Sequence, residues 1–296
     1  MSKKIILVTG DNAGLGFECC LQLAKRPKTH VIIAGRSEQR VGEAVAKIKS
    51  AASPSSIMEA GIVDLASLAS VRDFAKNLSD RRLSIFSIVC NAGVQVSKKE
   101  LTVDGFEMTF GVNHLGHFLL AELLCKQTKR IVMLTSYTYD SAEKSGVPAP
   151  NVTNLDQLAR GYDTFDPMEV YSTSKLLNLV FAKEFARRYP DRPRIVAYSP
   201  GFTPETSLFR EQHWLAWMIQ KPIYKFFTWL GGGRITTPEY SGGYMAKLAA
   251  EEPLTPDYAT GAYVRVDEPW KVNAQATDRN LGKELWEKSE VWVGLK

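Results

Sequence analysis

The chain has 296 residues, 45% of them hydrophobic and 23% charged, with a formal net charge of +5. That much apolar side chain builds a sizeable core, which excludes a disordered chain, and the mild, scattered positive charge excludes a nucleic-acid-binding stripe. Cys19, Cys20, Cys90 and Cys125 have neither C-x-x-C nor zinc-ligand spacing, so they read as reduced, buried residues of a cytoplasmic protein without a metal.

In chain order, residues 4–9 read as a strand and residues 15–25 as a helix. Between them runs Thr9-Gly10-Asp11-Asn12-Ala13-Gly14-Leu15-Gly16. Gly10 permits a tight turn, Gly14 lets the backbone approach a pyrophosphate, and Gly16 lets helix and strand pack closely. The N–H groups and dipole of the helix N-terminus favour an anion. No Gly-Lys-Ser/Thr follows, which excludes a Walker A loop. Residues 30–34 read as a strand and 38–50 as a helix. The junction Ala34-Gly35-Arg36-Ser37 lies where the ribose of a dinucleotide is read. An acid there selects the 2′-hydroxyl of NAD, and an Arg the 2′-phosphate of NADP. Arg36, with Ser37 adding a hydroxyl, therefore predicts NADP(H) as cofactor. Glu38 would take that place if the strand end were shifted.

Residues 56–63 form the third predicted strand, 67–78 a helix and 84–90 the fourth strand. Asp64 follows the third, with a carboxylate suited to an adenine amino group. Asn91-Ala92-Gly93 follows the fourth: Gly93 allows backbone approach and Asn91 holds the neighbouring chain. A long helix pattern over 103–126 carries Asn113, placed to hold a water that links Lys175 to solvent. His114 and His117 on the same pattern read as structural. Residues 130–135 form a strand that ends at Ser136, whose hydroxyl suits a substrate carbonyl. A helix over 170–188 begins Tyr171-Ser172-Thr173-Ser174-Lys175. Tyr and Lys four apart share a helix face, and the ammonium is expected to draw the phenol below its usual pKa of about 10, making it a usable acid and base. Residues 194–199 read as a strand, 238–249 as a helix and 262–266 as a last strand.

Strands alternating with helices predict right-handed crossovers, and near-continuous Ile, Val and Leu in the strands predict a sheet covered on both faces. The fold class is therefore α/β: one Rossmann-type domain over 1–296, a doubly wound parallel sheet with helices on both sides. The aromatic-rich residues 202–233, with Phe202, Phe209, Trp214, Trp217, Tyr224, Phe226, Phe227 and Trp229, read as a substrate lid over an apolar or aromatic ligand. Lys221 and Lys225 in that segment leave room for peripheral contact with a membrane surface. No run approaches the ~20 apolar residues of a membrane span.

Taken together, these motifs resemble the short-chain dehydrogenase/reductase superfamily: T-G-x-x-x-G-x-G at Gly10, Gly14 and Gly16, then Asp64, Asn91-Ala92-Gly93, Asn113, Ser136, Tyr171 with Lys175, and Pro200-Gly201. The resemblance implies a catalytic tetrad of Asn113, Ser136, Tyr171 and Lys175. It also implies cofactor contacts from the glycine turn with Asn12 and Leu15, and from Arg36, Ser37, Asp64, Asn91, Gly93, Tyr171, Lys175, Pro200, Gly201 and Thr203. Asn113-His114-Leu115-Gly116-His117-Phe118 resembles the retinol dehydrogenase and protochlorophyllide reductase branch, as do residues 206–211 and 285–290 for the latter. One departure stands out: the light-dependent protochlorophyllide reductases carry a Cys after the Pro-Gly pair, implicated as a proton source, where this chain has Phe202. The reading is an NADPH-dependent carbonyl reductase. Its alternatives are a carbon–carbon double-bond reductase of the protochlorophyllide reductase type and an NADPH-binding regulator without catalysis. The family resemblance implies a dimer or tetramer through the helices at Val103 and Val170, or a monomer if the C-terminal residues block them.

Overall fold

The computed structural model describes residues 3–10, 14–143, 146–191, 193–203, 234–254 and 256–296. An eight-stranded sheet forms the centre: β1 (Lys4–Thr9), β2 (Thr29–Gly35), β3 (Ile57–Ile62), β4 (Ile85–Cys90), β5 (Thr128–Leu134), β6 (Arg194–Ser199), β7 (Ala262–Arg265) and β8 (Glu268–Pro269). The strand order is β3-β2-β1-β4-β5-β6-β7-β8. Neighbours pair in parallel except β7 and β8. The order reverses between β1 and β4, and ligands of such sheets bind in that crevice, beyond the carboxyl ends of the strands.

Helices cover both faces. On one lie α1 (Gly14–Lys25), α2 (Glu38–Ser50) and α8 (Pro238–Ala250). On the other lie α3 (Leu68–Asp80), α4 (Met108–Phe110), α5 (Gly116–Leu124), α6 (Leu155–Arg160), α7 (Pro167–Arg188) and α9 (Arg279–Trp292). Two apolar clusters follow from this layering, one on each side of the sheet. Every residue of β4 is buried, whereas Ile57 and Ile62 of the edge strand β3 are exposed. All four cysteines are free and buried, as their apolar settings imply.

The structure adds α6 and the antiparallel β8, which the patterning did not place, and departs from the expected elements in three further places. The helix pattern over 103–126 does not hold: Leu101 bridges Glu107 in antiparallel fashion, Gly105 takes a φ of +81°, and Val103 is exposed. The helix begins at Met108, capped by the buried Glu107 carboxylate. It then passes through a π-helical stretch (Gly111–Leu115) before α5. The helix bearing Tyr171 starts three residues earlier than expected. Asp166 accepts hydrogen bonds from the N–H groups of Met168 (2.8 Å) and Glu169 (3.2 Å), and Pro167 occupies the first helical position, where its missing N–H costs nothing. The third departure is α9, which strand-and-helix patterning did not place. Its N-cap Asp278 is visible in the sequence, but its apolar residues find partners only in three dimensions: Trp286 packs edge-on against Phe118 (5.1 Å between centroids) and stacks on Phe181 (5.8 Å).

The reading of His114 as structural is consistent with its packing. The ring is buried, stacks on Phe110 and lies 3.1 Å from the Ser289 hydroxyl on α9. Burial pulls its pKa down to about 3. The unfolded chain takes up this proton near pH 6.5 and the folded chain does not until far lower, so its contribution to stability is lost as pH falls below 6.5. Between pH 7 and pH 5 the wild-type chain should lose about 2 kcal/mol more than His114→Gln does. Urea unfolding of both proteins at the two pH values measures this; equal losses would show that the ring titrates freely in the folded state.

Candidate active site

The glycine turn is built by close approach. Gly10 leaves β1 at a φ of +71°, and a Cβ there would lie 2.6 Å from the Cα of Ala92. A Cβ on Gly16 would overlap the Gly10 carbonyl and lie 2.5 Å from Asn91 Nδ2. Gly14 also takes a left-handed φ, +64°, at the first turn of α1, beside Leu15. The Asn91 amide donates to the carbonyls of Thr9 (2.8 Å) and Gly10 (2.5 Å), which locks the ends of β1 and β4 together. No acidic residue stands in the first turn of α1. A bare helix N-terminus at the switch point therefore fits the pyrophosphate of a dinucleotide. Asn12 lies outside the described residues.

At the next strand end, β2 stops at Gly35, so Arg36 follows the strand directly and Glu38 opens α2. Arg36 is exposed and makes no ion pair among the described residues. Ser37 caps α2, accepting the Arg40 N–H at 3.4 Å, so its hydroxyl has a structural task as well. Arg40 in that first turn is a second guanidinium that motif reading passed over. Asp64 forms an Asx turn with the N–H of Ala66 (3.0 Å) at the end of β3.

The four tetrad side chains converge from three elements. Thr135, just past β5, donates its hydroxyl to the carbonyl of Lys175 (2.6 Å), and Asn178 Nδ2 donates to the carbonyl of Leu134 (3.0 Å). These two bonds clamp α7 against the end of β5. That brings Ser136 close enough to Tyr171 to oppose the rise of the phenol pKa. Lys175 Nζ lies 5.4 Å from the centre of the Tyr171 ring. Asn113 sits in the π-helical stretch and is fully buried. Its Oδ1 accepts the Val94 N–H (2.8 Å), and its Nδ2 donates to the Val94 carbonyl (3.1 Å) and to Ser174 Oγ (3.0 Å). Gly93 completes the floor, for a Cβ there would lie 3.3 Å from Asn113 Oδ1 and 3.4 Å from Lys175 Nζ. Thr135, Ser174 and Asn178 were not foreseen; each is an ordinary polar residue until the fold gives it a carbonyl or an amide to meet.

Electrostatics differ from the expectation in one respect. Burial pushes the Tyr171 phenol above its usual range, with Tyr137 adding to the rise and Ser136 opposing it. Burial also pulls Lys175 down to about 8. The expected lowering of the phenol by the ammonium does not appear: burial raises the phenol instead, so Tyr171 keeps its proton at neutral pH. Two further side chains line this region. Tyr137 lies under the Arg265 guanidinium (5.2 Å), and Gln95 Nε2 meets Met168 Sδ at 2.6 Å, one turn before Tyr171.

Pro200 and Gly201 follow β6. The Pro200 carbonyl accepts the hydroxyls of Thr236 and Ser241, both at 2.8 Å, and Gly201 takes a φ of +80°. The Thr203 and Thr236 hydroxyls meet at 2.9 Å. The expected lid is described only at Phe202 and Thr203; residues 204–233, with Lys221 and Lys225, lie outside the described residues. No group of His, Cys, Asp or Glu that could hold a metal occurs among the described residues. None of the described helices is long and apolar enough to cross a membrane.

Comparison with known proteins places the chain in a family. The short chain dehydrogenase family model matches residues 4–144. Protochlorophyllide reductase B, chloroplastic, of Hordeum vulgare is 33% identical over 98% of this chain and 78% of its own length. Protochlorophyllide reductase of Avena sativa is 31% identical over 98% of this chain and 100% of its own. The crystal structure of an uncharacterised protein from Mycobacterium paratuberculosis superposes with a TM-score of 0.75 at 26% identity, covering 99% of this chain and 94% of that one. The chain belongs to the short-chain dehydrogenase/reductase superfamily of oxidoreductases. Within it, the chain falls on the branch of the protochlorophyllide reductases.

Proposed function

We propose that this oxidoreductase uses NADPH to reduce a carbonyl group of a bulky apolar or aromatic substrate, with Asn113, Ser136, Tyr171 and Lys175 as its tetrad. The observation that carries the reading is the Tyr171 phenol: buried, kept protonated by that burial, with the Lys175 ammonium 5.4 Å from its ring centre. When bound, NADPH supplies a hydride. Gly10, Gly14, Gly16, Asn91 and Gly93 would cradle the dinucleotide, Asp64 its adenine, Arg36 and Ser37 its 2′-phosphate, and Pro200, Gly201 and Thr203 its nicotinamide end. Ser136 and Tyr171 polarise the carbonyl oxygen, and Tyr171 gives up its proton as negative charge develops there. The Lys175 ammonium then offsets the charge left on the phenolate. Asn113 holds the π-helical turn against Val94 and Ser174, so that Lys175 has a fixed neighbour. The similarity to protochlorophyllide reductases over nearly the whole chain favours a second reading, reduction of a carbon–carbon double bond in a tetrapyrrole. Phe202 in place of the cysteine argues for the first.

Nicotinamide fluorescence during titration with NADPH and NADH tests the cofactor half of the proposal. NADPH should bind tighter than NADH, and Arg36→Glu should weaken NADPH about tenfold to a hundredfold while sparing NADH, the worth of a charge-assisted phosphate contact. Aromatic and long-chain aldehydes, ketones and quinones, offered in the dark and in light, test the rest. Dark oxidation of NADPH by a carbonyl compound supports the first reading, and turnover confined to light selects the second. Binding without turnover on any of them would leave a regulator, and failure to bind NADPH would overturn the proposal.

A further inference from the structure

His117 sits at the start of α5 with no solvent exposure, between two parts of the site that no covalent path joins closely. Its Nδ1 lies 3.2 Å from the carbonyl oxygen of Asn113. A carbonyl only accepts, so Nδ1 carries the hydrogen. Burial keeps the ring neutral, with its pKa drawn down to about 4, and Nε2 is left as a bare acceptor. The Thr9 hydroxyl, 2.9 Å away, donates to it; its alternative acceptor, the Val89 carbonyl, is farther, at 3.3 Å. With its hydrogen committed, Thr9 Oγ1 turns its lone pairs to the N–H groups of Asn91 and Ala92, both at 3.1 Å. Asn91 in turn holds the Thr9 and Gly10 carbonyls. One imidazole therefore connects the carbonyl of the tetrad asparagine to the turn that shapes the glycine cradle. An apolar side chain of similar volume would fill the space and satisfy neither neighbour.

We propose that His117 is a positioning residue that holds the Thr9–Gly10 cradle and the π-helical turn bearing Asn113 in one fixed arrangement. The proposal rests on the reading that the cradle binds NADPH. An Asn amide stands roughly where Nδ1 does and a Gln amide roughly where Nε2 does, so the two halves of the link separate. NADPH affinity, followed by nicotinamide fluorescence on the full chain, should fall about tenfold to a hundredfold in His117→Leu and by a similar factor in Thr9→Val, and the double variant should be no worse than either. His117→Gln should stay within about threefold of wild type, and His117→Asn should resemble Thr9→Val. A merely structural role would lower the melting temperature of all these variants without this pattern in affinity. Folded His117→Leu that binds NADPH as wild type does, or additive effects in the double variant, would overturn the proposal. Long-range 15N–1H correlation spectra of the unliganded wild-type chain should show His117 as a neutral ring protonated at Nδ1. That measurement decides the link even if NADPH fails to bind, which would overturn the cofactor reading instead, and a ring protonated at Nε2 would overturn the link itself.

Discussion

Tyr171→Phe should lower turnover about a thousandfold, the worth of a positioned general acid, while NADPH affinity stays within about twofold of wild type. The substitution removes one oxygen and leaves the ring. Tyr171 is buried, with Lys175 Nζ over its face, so packing survives and the phenyl group stands where the phenol stood. What disappears is the proton that burial keeps on the phenol at neutral pH. Ser136 does not become an unpaired group, because its oxygen still accepts from the Thr138 hydroxyl at 2.9 Å. The readout is single-turnover oxidation of NADPH with whichever carbonyl substrate the wild-type chain uses. Residual turnover above about a tenth of wild type would show that another group donates the proton.

Trp286→Ala should cost about 3–5 kcal/mol of folding stability, the range for removing a large buried aromatic side chain. Trp286 is 2% exposed on α9. Its indole touches Phe118, Phe181, Phe185 and Tyr189 in one aromatic cluster and lies under the Arg188 guanidinium at 4.6 Å. The cavity would open between α5, α7 and α9, a region where Ala, lacking any reach across the gap, restores none of these contacts. Val291 on the same helix is 62% exposed, and Val291→Ala should change stability by less than about 0.5 kcal/mol. Equilibrium unfolding in urea measures both. A loss below about 1 kcal/mol for Trp286→Ala would mean that α9 is peripheral to the core.

Much of the site was legible without coordinates because its signals are local. A glycine that must take φ near +70°, as Gly10 does, announces itself as a glycine, and an Arg one residue past a strand end needs only the strand to be placed. Tyr171 and Lys175 share a helix face by spacing alone. The strand limits at 4–9 and 194–199 and the helix limits at 38–50 follow from apolar periodicity bounded by turn and cap residues, which is a short-range code. What failed was also local in origin. The apolar pattern over 103–126 looks like one helix, yet Gly105 and the Glu107 cap start it late. Gly116 must approach the Leu65 carbonyl so closely that a Cβ would lie 2.6 Å from it.

By itself, then, the amino-acid sequence determined most of the order of strands and helices, the glycine turn, the place of Arg36 just past the second strand and the shared helix face of Tyr171 and Lys175. These depend on backbone preference and on periodicities of two and 3.6 residues, which act between near neighbours. Only the tertiary structure decided the ionisation of the site, where burial raises the Tyr171 phenol and lowers Lys175. Only it placed Thr135 and Asn178 as the clamp on the helix bearing Tyr171, gave His117 its two partners, and seated α9 over Phe118 and Phe181. Desolvation and hydrogen bonds between residues tens of positions apart exist only once the sheet has brought those residues together, and no local pattern encodes them.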